Sequence, residues 1–118
     1  MTETGSVLEV GEKLHIMTRR NFPDDLRRHF VGEVVAISGN AMRVEGYAFV
    51  FNPTSLEYKR REELRTRIFA IADTQLIINV MPQTVKIDRL RYATPDGRLV
   101  VTDGVSFSLD INEFNATH

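Results

Sequence analysis

The chain has 118 residues, 42% hydrophobic and 26% charged, with a formal net charge of −1 and no cysteine. That is one domain's worth of ordinary globular composition, enough to bury roughly 65% of the unfolded surface without staples. It excludes disulfides, thiolate catalysis and cysteine metal sites, and supplies no overall electrostatic pull toward nucleic acid or anionic lipid.

The opening MTETGSVLEVGEK is acidic and lacks the basic start and apolar block of a signal peptide. In Lys13–Thr18, Leu14 and Ile16 alternate with Lys13 and His15, which predicts a first strand with His15 half-exposed. Asn21 to Asp25 breaks it, and Asp24 is placed to cap a short helical turn through Leu26–Arg28. Residues 27–51 then read as a β-hairpin around Gly39-Asn40, the glycine supplying the positive φ of a tight turn. That register sets Ile37 opposite Met42, Val35 opposite Val44, and Gly46 and Ala48 opposite Glu33 and Val31. The other face carries Val34, Ala36, Arg43, Glu45 and Tyr47. Gly32 and Gly46, inside the strands, mark a bulge or sharp bend.

Asn52-Pro53-Thr54-Ser55 predicts a turn and Leu56–Tyr58 a returning strand; Thr54 and Glu57 also have capping-box spacing, so a helix competes there. Ile68, Ala70 and the apolar run Leu76–Met81 predict two more buried strands, closed by Pro82. The longest stretch without a charge, Thr74 to Val85, has 12 residues, too few to span a membrane. Val85–Leu90 has room for a single helical turn. Thr94-Pro95-Asp96-Gly97 and Asp103-Gly104 are hairpin turns that set up a three-stranded meander through Arg98–Thr102 and Val105–Ile111. In its last strand Val105, Phe107, Leu109 and Ile111 share a face. Residues 1–6 and 113–118 are expected to fray. The predicted class is all-β with minor helix: a single domain, built as a small, strongly bent barrel over 13–81 with a C-terminal antiparallel meander over 86–111.

His15, His29 and His118 stand far apart with no partner at ligand spacing, so no metal or other cofactor is expected. Gly104-Val105-Ser106-Phe107-Ser108 lacks the second glycine of a nucleophile elbow. Asp24-Asp25 reads as a helix start, and no glycine loop cradles phosphate. The chain therefore reads as a non-enzyme. Its arginines are more suggestive: Arg19, Arg20, Arg27 and Arg28 lie in one local excess of positive charge, and Arg60, Arg61, Arg65 and Arg67 in another. Gathered by the fold, these eight could neutralise phosphates; scattered, they would be solvated strand edges paired with Asp24, Asp25, Glu62 and Glu63. Residues 99–118 carry only Asp103, Asp110 and Glu113 as charges, and opposite charge at the two ends favours contact between copies.

Phe30, Gly32, Val34 and Ile37, preceded by the short Asp25–Arg28 segment, space a hydrophobic residue, a glycine and further apolar residues. This stretch resembles the first motif of the Sm-like small barrels. The resemblance implies a bent five-stranded barrel that assembles into rings through its edge strands. The family's acidic residue stands as Ser38 and its asparagine as Met42, and Leu76–Pro82 is apolar where an arginine and glycine belong. What the resemblance implies is thus an SH3/Sm-like fold for the barrel over 13–81 and its assembly, not RNA contacts. The expectation is a cytoplasmic binding or assembly module that self-associates as a homo-oligomer. Its alternative is an oligomer holding RNA or a phosphate-bearing anionic ligand through the arginine clusters.

Overall fold

The computed structural model describes residues 7–19 and 27–111. Strands β1 (Lys13–Thr18), β2 (Arg28–Ser38), β3 (Ala41–Asn52), β4 (Glu57–Arg60), β5 (Arg65–Ala70) and β6 (Leu76–Met81) form one antiparallel sheet. A second sheet holds β7 (Arg91–Ala93), β8 (Val100–Thr102) and β9 (Ser108–Asp110). The all-β class is as expected, with helix confined to two 3-10 turns at Ile87–Arg89 and Pro95–Gly97. Among the described residues no helix is long and apolar enough to cross a membrane.

Strand order in the larger sheet is β4-β3-β2-β1-β6, with β5 also on β3. β3 is long enough to carry both: Ala41–Gly46 pairs with β5 and Phe49–Asn52 with β4. Side-chain alternation then sorts the residues onto two faces, each apolar, because each is covered. The inner face gathers Leu14, Ile16, Phe30, Val34, Met42, Val44 and Ala48. Phe69 of β5 and Leu76 and Ile78 of β6 pack on the same cluster, so the strands that flank β3 and β1 both curl onto one core. No ladder joins β5 to β6 among the described pairings. The outer face presents Met17, Val31, Phe49 and Met81 to Val85, Leu90, Val101 and Ile111. The second sheet thus lies on the back of the rolled one.

Five local expectations need correction. Strands β5 and β6, expected to be buried, are only partly so, with Ile68 65% and Val80 56% exposed, because both lie at edges of the sheet. The hairpin pairs Ile37 with Met42 as read, but a bulge between Val34 and Ala36 shifts the rest, so Val34 faces Val44, Gly32 faces Gly46 and Phe30 faces Ala48. The bulge leaves Val35 unpaired, and Val34 joins the inner core. Arg28 opens β2 instead of ending a helical turn; the proposed cap at Asp24 lies outside the described residues, as do the ends expected to fray. Val105 is 78% exposed and precedes β9, because the Asp103 carboxylate accepts the N–H groups of Val105, Ser106 and Phe107 and holds 103–107 as a turn. Finally, His15 is fully buried, not half-exposed, since the second sheet covers its face of β1.

Facing glycines mark the closest approach of β2 and β3. A Cβ at Gly46 would collide with the Val31 carbonyl oxygen and the Cα of Gly32. Only glycine lets the two backbones meet there.

Candidate functional site

The register that builds the inner core also extends it into a charged mouth. Arg28 pairs with Val50, Phe30 with Ala48, and on the other edge of β3, Gly46 with Arg65 and Val44 with Arg67. Alternation places Arg28, Arg65 and Arg67 on the same face as Phe30 and Phe69, one or two positions beyond the apolar residues. Arg61, just past β4, is fixed by its backbone N–H on the Ala48 carbonyl at 2.8 Å. The result is a recess of about 240 Å³ lined by Arg28, Arg61, Arg65 and Arg67 with His29, Ala48 and Val50.

Four arginines line this space, and among the described residues there is little to neutralise them. Glu63 meets Arg65 Nη2 at 2.7 Å from the rim, with 70% of its side chain exposed. The Nε of Arg65 is buried and has no acceptor. The Arg67 guanidinium lies 5.4 Å from the centroid of the Phe30 ring. Burial first, then the charges of Arg65 and Arg28, depress the pKa of Arg67. Guanidinium groups forced together on an apolar floor are an electrostatic cost that a bound anion would offset.

The other arginines go elsewhere. Arg60 and Arg61 are neighbours at the end of β4, so their side chains leave on opposite sides. Arg60 lies 4.8 Å from the Tyr47 ring centroid on the outer face and donates to the Asp88 carbonyl at 2.5 Å. Arg27 lies over Phe51, also on the outer face. Arg19 is exposed beyond β1, and Arg20 is outside the described residues. Four of the eight converge.

Sequence reasoning missed a second group. On the outer face, His15 and His29 both meet the hydroxyl of Tyr92 from β7: His15 Nε2 lies 2.9 Å from Tyr92 Oη, and His29 Nδ1 contacts the same oxygen. The Asn79 amide nitrogen donates to His15 Nδ1 at 3.3 Å, which leaves the ring proton on Nε2. The chain of donors therefore runs Asn79 to His15 to Tyr92 to His29. Tyr58 stacks on His29 and Phe49 on Tyr92, with ring centroids 4.8 and 4.7 Å apart. Burial lowers the pKa of His15 to about 4; burial, then His15 and Arg27, lowers that of His29 to about 3. Burial, then Tyr58, raises that of Tyr92. Neutral histidines bolt the two sheets together here. The usable signal was register: β1 pairs with β2 so that Met17 faces His29, which puts His15 and His29 on one face.

The described residues contain no group of three or more His, Cys, Asp or Glu able to hold a metal ion. No family model, curated protein or solved structure matches the chain.

Proposed function

We propose that the protein is a non-enzymatic binding module that recognises a phosphate group through Arg28, Arg61, Arg65 and Arg67. The observation that carries this reading is the buried, acceptor-less Nε of Arg65 among four guanidiniums in one recess. Arginine donates several hydrogen bonds in a fixed fork that suits tetrahedral oxyanions, and it stays protonated, so it binds well and transfers protons poorly. A discrete phosphate group fits better than a nucleic-acid backbone. Arg19, Arg27 and Arg60 lie away from the recess and extend no basic stripe from it, and the whole chain carries −1. The test is the thermal unfolding midpoint in phosphate against chloride at matched ionic strength. Phosphate raises the midpoint, and Arg65→Gln with Arg67→Gln abolishes the rise. An unchanged midpoint in the wild type refutes the reading. Salt-sensitive retention on homopolymer RNA with no phosphate effect would favour a polyanion instead.

A second reading, self-association, draws on β6. Its sequence LIINVM has no charge and no proline, it pairs with β1 alone among the described strands, and Val80 is 56% exposed. Edges without such protection pair with other chains, and another copy of β6 fits as an antiparallel partner. Light scattering after size exclusion checks it: an oligomer that Val80→Lys turns into a monomer supports the pairing, and a wild-type monomer rules it out.

A further inference from the structure

A cleft of about 640 Å³ opens where the turn before β4 approaches the second sheet. Its walls include Phe51, Leu56 and Tyr58 on one side, Tyr92 and Leu99 on the other, and Arg27. Tyr58 meets Phe51 edge-on with ring centroids 5.2 Å apart and Tyr92 at 4.6 Å, so the lining is continuous aromatic surface. The volume falls within the range of small-molecule sites, and the site lies at a junction between two packed layers.

Backbone strain singles the cleft out independently. Among the described residues only Leu56 and Asp96 are non-glycine residues with positive φ, at 60° and 56°. They sit on the two turns that frame this cleft, Leu56 in its lining and Asp96 next to the lining residue Gly97. Aspartate tolerates this conformation; leucine does not. Leu56 is nonetheless held there, its N–H on the Asn52 carbonyl at 2.8 Å, while Asn52 Oδ1 accepts from Thr54 and Ser55. The residue is 74% exposed. A strained backbone that keeps an apolar side chain in water is a cost, and such costs concentrate at ligand clamps.

We propose that this cleft binds a small flat aromatic anion, its ring seated among Phe51, Tyr58 and Leu56 and its negative group turned toward Arg27. The aromatic lining favours a planar ring, Leu56 gains cover, and the Arg27 guanidinium over Phe51 supplies the only cationic side chain among the described residues of the lining. Glu57 also belongs to the lining; alternation along β4 sends its side chain to the opposite face from Tyr58, which places the ligand's negative group at Arg27 and away from this carboxylate.

The test is an amide chemical-shift titration of the whole chain with 2-naphthoate. Binding should saturate at one equivalent, with shifts at Ser55 to Tyr58, Tyr92 to Thr94 and Gly97. Leu56→Asn separates function from structure, because asparagine is at ease at positive φ. The variant should unfold at a higher temperature yet bind about five- to tenfold more weakly. Arg27→Gln should weaken 2-naphthoate while leaving neutral 2-naphthamide unchanged. The proposal is overturned by non-saturating shifts, by shifts centred on Arg28, Arg61, Arg65 and Arg67, or by unaltered affinity in Leu56→Asn. Equal weakening of both probes by Arg27→Gln overturns the assignment of an anion.

Discussion

Acidification should destabilise this protein through His15 and His29. Both titrate near 6.5 in the unfolded chain but at about 4 and about 3 in the fold, held down chiefly by burial. The sign follows from proton counting. Below pH 6.5 the unfolded state takes up protons that the native state refuses, so the stability present above 6.5 is lost as pH falls toward the folded values. Each histidine costs about 1.4 kcal/mol per pH unit in that window, so the pair costs about 4 kcal/mol between pH 7.5 and pH 5. Against a typical domain stability of about 5–15 kcal/mol that is a large share. Below pH 4 the slope eases as His15 begins to titrate in the native state. The Asp103 carboxyl, lowered by its backbone hydrogen bonds, sheds its contribution only below its ordinary 3.8, outside the window. Urea unfolding at pH 7.5, 6.5, 5.5 and 5.0 measures the loss directly. His29→Gln, whose amide oxygen can still accept from Tyr92, should halve the slope. A loss under about 1 kcal/mol from pH 7.5 to 5, or an undiminished slope in His29→Gln, would refute the account of two buried neutral imidazoles.

Tyr92→Phe should cost about 2–4 kcal/mol in urea unfolding at pH 7.5, because it strips the acceptor from His15 and the donor from His29 inside a buried seam. Gly46→Ala should cost about 4 kcal/mol or prevent folding, as the new methyl meets the backbone of β2; Gly39→Ala, whose added Cβ meets nothing within 4 Å, should lose only about 1 kcal/mol for its positive φ. Glu63→Gln should tighten phosphate binding by about two- to fivefold in calorimetry, the equivalent of one exposed ion pair removed from competition for Arg65.

How much of this was legible differs by the range of the interaction. Local alternation and turn chemistry located the strands well: Lys13–Thr18 and Leu76–Met81 form where the pattern places them, and Gly39 turns the hairpin with φ of 59°. The bulge at Val35 was not legible, because both Val34 and Val35 are apolar and either could turn inward. Arg28 gave no sign of meeting Arg65 and Arg67, since that meeting runs through two ladders on opposite edges of β3. Adjacent arginines were more misleading than informative: the pairing of Arg60 with Arg61 in sequence is what separates them in space. The histidines were discounted on spacing, yet spacing along a chain does not measure distance across a sheet.

The first two residues of β2 connect these lessons to function. Arg28 enters the recess on the inner face, and the His29 ring packs in the seam on the outer one. A strand cannot turn one of these side chains without turning the next, so the seam fixes how Arg28 is presented. Arg65 and Arg67 are referred to the same frame through β3. Bringing like charges together requires a support stiff enough to resist their repulsion, and a sheet locked from behind by neutral histidines and a tyrosine is such a support. If the recess holds phosphate, loosening the seam with Tyr92→Phe should weaken that binding although residue 92 never touches the ligand. The expected pattern is a several-fold loss of phosphate affinity that tracks the loss of stability across seam variants. Affinity that stays constant while stability falls would show that the arginines are held by their own contacts alone.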